Sequence, residues 1–166
     1  NQSMWDFTVV EAHDRENIEP GSNIGSIRFG LAAVKNIGIS AIEAIVEARE
    51  KKGLFTSLTD FCNKVDQRKV NRRVMEALIK CGAFDGTGSR RAQMFEGLDM
   101  VIDQGGKHQE QEAIGQFSIF GALESQKEIA LPNVPEWKEN QLLAHEKESV
   151  GFYISGHPLA AFEADI

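Results

Sequence analysis

The sequence predicts a mainly α fold with a small N-terminal β ribbon and a partly helical C-terminal extension. Two stretches carry the helical prediction. Phe29-Gly30-Leu31-Ala32-Ala33-Val34-Lys35-Asn36-Ile37-Gly38-Ile39-Ser40-Ala41-Ile42 reads as helix, tight glycine-containing turn, helix, and Val74-Met75-Glu76-Ala77-Leu78-Ile79-Lys80-Cys81-Gly82-Ala83-Phe84-Asp85 repeats the pattern. A third observation agrees: cap residues and apolar stripes at helical spacing divide residues 34–103 into short helices with short connections.

Residues 5–10, Trp5 to Val10, read as a strand, and Ser26 to Phe29 as its partner, with the polar, turn-rich stretch Glu16 to Asn23 between them. The loop 16–25 is given no role. Ser40-Ala41-Ile42-Glu43 forms a capping box that starts the helix after the first turn. Ile42, Ile45 and Val46 supply its apolar stripe, and Gly53 its stop. Ser57 opens a shorter helix with Leu58, Phe61, Cys62 and Val65 on one face. Asn71 caps the next, whose Val74, Ala77, Leu78 and Cys81 face the core before Gly82 ends it. Ser89 is expected to cap a helix carrying Met94, Leu98, Val101 and Ile102 and ending at Gly105-Gly106. Residues 107–135 read as a linker region, in which Lys107 to Gln116 fits either a helical extension or a loose linker, and 136–150 as one more helix with Leu142, Leu143 and Val150 apolar. The expected divisions are 1–32, 33–106, 107–135 and 136–166.

Composition is that of an ordinary soluble protein, 42% hydrophobic and 26% charged, with no apolar run of membrane-spanning length and no export signal. A cytoplasmic location without membrane contact is expected. Asn1 in place of Met predicts a piece of a longer polypeptide. Cys62 and Cys81 fall on apolar helix positions and are expected as free thiols. The four histidines lack metal-ligand spacing, so no metal site is expected. No G-x-x-x-x-G-K-[ST] or G-x-S-x-G occurs, and no residue is assigned a catalytic role.

Net charge is −7, unlike a protein that coats DNA indiscriminately, but its distribution is uneven. Residues 64–91 hold eight basic groups against Asp66, Glu76 and Asp85, an island of +5 between acidic flanks. A tight turn running straight into a helix turns backbone N–H groups and a positive dipole end outward, the chemistry of a phosphate site. Lys35, Asn36, Ile37 and Gly38 form the first such turn, with Ile37 as an apolar plug, Gly38 allowing close approach and Asn36 tolerating a left-handed backbone. Arg72, Arg73, Lys80 and Gly82 mark the second. Contacts of this kind read no base sequence.

Such turns are the mark of helix–hairpin–helix motifs, and the fold expected is a tandem bundle of them. Outside it, Gln116-Phe117-Ser118-Ile119-Phe120 resembles the peptide with which bacterial proteins dock on the sliding clamp, Ile119 and Phe120 filling an apolar pocket and Gln116 its rim. With Ile27 to Gly38, Val70 to Val74 through Asp85, and Gly151-Phe152-Tyr153-Ile154-Ser155-Gly156-His157-Pro158, the chain resembles the α subunit family of bacterial DNA polymerase III. The resemblance implies a region from the end of the fingers through duplex-DNA-binding hairpins to the clamp peptide, in which Gln116, Ser118, Ile119 and Phe120 bind the clamp. It implies duplex DNA, sliding clamp and other replicase subunits as partners. DNA-directed DNA polymerase activity, with its Mg2+, belongs to the parent protein, whose catalytic carboxylates lie upstream of Asn1. Two other readings stay open: a hairpin module of a DNA repair enzyme, and a protein-interaction module.

Overall fold

The computed structural model describes residues 3–11, 25–113 and 129–158. Peptide 116–120 and most of the loop 16–25 lie outside them. Strand β1 (Thr8–Glu11) pairs antiparallel with β2 (Gly25–Arg28), Thr8 opposite Arg28 and Glu11 opposite Gly25. Both strands are therefore displaced from the stretches that the alternation suggests.

The helix expected before the first turn is a single 3-10 turn, Leu31–Ala33. The N-terminal segment competes for its backbone. Met4 O accepts from Leu31 N–H (2.8 Å) and Trp5 O from Ala32 N–H (3.1 Å), while Gly30 is packed so close that a Cβ there would sit 2.7 Å from Asp6 Cα. The first long helix, α1 (Ile39–Lys52), starts from Gly38 rather than Ser40, because Gly38 O accepts from Ala41 and Ile42 N–H. It stops at Gly53, whose φ is +82°.

Helix α2 (Leu58–Lys64) is capped by Ser57 Oγ, which accepts from Asp60 N–H, and α3 (Arg72–Lys80) by Asn71 Oδ1, which accepts from Val74 N–H. A second 3-10 turn (Asp85–Thr87) leads to α4 (Arg91–Glu96) and α5 (Leu98–Ala113). Arg90, not Ser89, is the residue before α4, and α5 runs straight through Gly105-Gly106. Gly105 is there for packing: a Cβ would stand 2.8 Å from Cys62 O. The approach lets Gln67 and Gln109 donate to Cys62 O (3.2 and 2.9 Å) and Gln109 to Val65 O (2.6 Å), satisfying carbonyls at the end of α2.

The core lies among α1, α2, α3 and the α4–α5 junction. Phe61 is its hub, edge-on to Phe55 at 4.9 Å and to Phe84 at 5.1 Å, with Ile42, Met75, Ile79, Met94, Leu98 and Val101 around it. Cys62 and Cys81 are free, and burial pushes their thiols up to about 12 and about 11, leaving both protonated. Helix α6 (Glu139–Val150) packs against α3 and ends at Gly151, φ +96°. Among the described residues no helix is long and apolar enough to cross a membrane.

Candidate nucleic-acid interface

The first turn is open to its surroundings. Lys35, Asn36 and Gly38 are exposed, whereas Ile37 is half-buried against the core. Asn36 has φ +67°, the left-handed conformation that Asn tolerates better than most residues. Gly38 is the N-cap of α1 at φ −80° and ψ 162°, with no side chain capping the helix. A Cβ built on it meets nothing within 4 Å. Neither backbone conformation nor internal packing therefore asks for glycine at position 38. From behind, the turn is fixed by Ser149 O of α6, which accepts from Lys35 N–H at 2.7 Å.

The second turn has another construction. Gly82 has φ +78°, and a Cβ there would collide with the Arg91 guanidinium and lie 2.7 Å from Asp85 Oδ2. Glycine is needed here by the fold itself. No helix follows at once, since the Asp85–Thr87 turn intervenes. When α4 does begin, its N-terminus is already occupied: Glu136 takes Arg91 N–H (2.8 Å) and Ala92 N–H (2.9 Å) on its two carboxylate oxygens. The outward-facing donors expected of both turns are offered by the first alone.

Much of the basic island is also spoken for. Lys64 pairs with Asp60 (2.8 Å), Arg68 with Asp66 (3.1 Å), Arg72 with Glu76 (2.7 Å) and Asp99, and Lys80 with Glu148 (3.0 Å). Among the described residues Lys35, Lys69 and Arg73 make no ion pair. Lys80 and the Lys35–Gly38 turn meet at the last turn of α6, through Glu148 and Ser149. Arg72 and Arg73 sit at the opposite end of α3, about 12 Å along its axis.

Arg91 is a structural cation. Its side chain is buried, with Asp85 at 2.6 Å, Glu146 at 2.9 Å and Lys80 O at 3.2 Å. Burial works against its charge, but the two carboxylates more than compensate and hold its pKa above the ordinary value. Glu146 is fully buried and also accepts from Ile154 N–H (2.7 Å) and Ser155 N–H (2.9 Å). Burial pushes its carboxyl upward, and these donors with Arg91 outweigh it, leaving the group below its usual value; Glu136 is lowered in the same way by Ala92, Trp137 and Arg91 N–H. Sequence reasoning missed both acids. The signal for Glu146 was present, since Leu143, Glu146 and Val150 share one helix face.

Among the described residues no group of three His, Cys, Asp or Glu is placed to hold a metal ion. Two helices joined by an exposed, uncapped turn are the element of a helix–hairpin–helix class of fold, and the chain belongs to the helix-hairpin-helix motif family, whose model matches residues 1–94. It is similar to bacterial DNA polymerase III α subunits. Identity with DNA polymerase III subunit alpha of Vibrio cholerae is 43% over 138 residues, covering 81% of this chain and 12% of the relative. With the Escherichia coli K12 protein of that name it is 40% over 145 residues, 86% and 12% respectively. With that of Borreliella burgdorferi it is 38% over 170 positions, the whole of this chain and 14% of the relative. The chain thus spans a small fraction of the length of these relatives.

Proposed function

We propose that this chain is the duplex-DNA backbone-binding and clamp-binding segment of a replicative DNA polymerase α subunit, with no bond-making role of its own. Gly38 carries the reading. A glycine that the fold does not need, exposed at an uncapped helix start beside Lys35, suits a surface approached closely by a phosphate. The contact set is Lys35, Asn36, Ile37 and Gly38, with Lys80 beside them and Arg72 and Arg73 at the far end of α3; Gly82 acts by shaping the second turn. In this reading residues 1–32 are the approach from the fingers, 33–106 with the remainder of α5 to Ala113 the DNA-binding hairpins, the stretch from there to 135 the clamp-binding linker and 136–166 the lead into the next domain. For the parent protein the reading extends to polymerase activity with Mg2+, other replicase subunits as partners and a cytoplasmic site of action; the name of the relatives, DNA polymerase III subunit alpha, supports the polymerase part.

Salt dependence tests the DNA contact. Replacing Lys35 and Arg73, the unpaired cations of this set, with Ala should flatten the slope of log affinity against log salt by up to about 2 units, at about 0.9 per phosphate contact. An unchanged slope in a folded variant removes both residues from the interface, and absence of duplex binding by the unaltered chain returns the reading to a protein-interaction module.

The clamp contact is tested separately. Ile119→Ala with Phe120→Ala should abolish measurable clamp binding, because buried anchors of this type commonly cost about 2 kcal/mol or more when truncated. Melting temperature and duplex binding should hardly change. Normal clamp binding by the folded double variant would place the contact elsewhere.

A further inference from the structure

The last turn of α6 brings an acid into the midst of the candidate phosphate contacts. Glu148 Oε2 lies 3.0 Å from Lys80 Nζ and 3.7 Å from His145 Nδ1. The next residue, Ser149, accepts the backbone N–H of Lys35 at 2.7 Å on its carbonyl, so the residue that carries this carboxylate is one position from the backbone anchor of the Lys35–Gly38 turn. The two partners differ in freedom. The Lys80 side chain is only 20% exposed and its ammonium is 5.9 Å from the Phe95 ring, whereas the Glu148 side chain is 64% exposed. Lys80 is held in position by packing, and Glu148 is the member able to swing away.

We propose that Glu148 is an internal stand-in for a backbone phosphate, holding Lys80 at the hairpin until nucleic acid takes its place. The inference rests on the reading of the first turn as the phosphate contact. Energetics favour an exchange: an ion pair with one partner open to solvent contributes less than a charge-assisted bond between a lysine and a phosphate beside backbone donors. The carboxylate also repels any phosphate that arrives without displacing it. The outcome is a moderated hold on duplex DNA.

Duplex-DNA titrations of the 166-residue chain across a salt series test this with four variants. Glu148→Gln should tighten binding about two- to fivefold at low salt and steepen the salt slope by up to about 0.9. Lys80→Ala should weaken binding, and Glu148→Gln in the Lys80→Ala background should give no gain. Glu148→Gln binding like the unaltered chain overturns the proposal, as does a gain that survives loss of Lys80, which marks a mere change of net charge. Gly38→Val separates this failure from that of the underlying reading. Loss of binding with Gly38→Val but no response to Glu148→Gln refutes the stand-in alone, whereas undiminished binding by Gly38→Val refutes the phosphate contact and the stand-in with it.

Discussion

Glu146→Ala is expected to lower the unfolding free energy by about 3–5 kcal/mol, a large part of the 5–15 kcal/mol that typically holds a domain together. The carboxylate accepts from Arg91 Nη1, Ile154 N–H and Ser155 N–H. Its removal leaves the buried guanidinium with Asp85 as its remaining carboxylate, beside Lys80 O, and frees the segment after α6. Denaturant melts measure the loss, and a change below 1 kcal/mol would mean that the pair contributes nothing beyond its own desolvation. The same carboxylates set the acid limit. Glu136 and Glu146 have folded-state pKa values below the ordinary 4.5, so their contribution is complete above 4.5 and is lost as pH falls through the lowered values. Glu146→Gln should therefore show a shallower loss of stability on acidification than the unaltered chain, although it starts from a lower plateau.

Gly38→Val and Gly82→Val are expected to fail in opposite ways. Gly38 sits in an extended conformation open to all residues, with empty space where a Cβ would go. Valine there costs at most about 1 kcal/mol as a poorer N-cap, yet keeps a phosphate away from the α1 backbone donors. The expected loss of duplex affinity is about tenfold or more, from one charge-assisted bond. Gly82 combines φ +78° with contact to Arg91 and Asp85, so valine there should unfold the second turn, and with it the Arg91 network. Melts run beside binding curves distinguish the two. A folded Gly38→Val chain that binds duplex DNA normally removes the hairpin from the interface.

The helices were legible in the sequence wherever a local rule governs them. Ser57 and Asn71 accept the capping bonds expected from their side chains, and Gly53 and Gly82 take the positive φ expected at helix ends. Asn36 likewise adopts the left-handed backbone. Partners distant in sequence defeated the same rules elsewhere. Gly105 looks like a stop until Cys62 O is seen against it, and Ser89 looks like a cap until Glu136 arrives to do the work. Charge was the least transparent feature. A run of lysines and arginines reads as a basic surface, but Asp99, Glu146 and Glu148, all outside the run, neutralise Arg72, Arg91 and Lys80. The two turns resemble each other as strings, and only the three-dimensional arrangement reveals that one faces outward while the other is closed by its own chain.

The 55 residues separating Arg91 from Glu146 have a consequence in time. A ribosome adding about 5–20 residues per second delivers the arginine several seconds before the glutamate that neutralises it. Throughout that interval both hairpins are already synthesised, yet a cation destined for the interior has only Asp85 for company. The bundle cannot close around it without stranding half-compensated charge. The Arg91 site is therefore complete only once α6 has been made, some 55 residues after the arginine it neutralises.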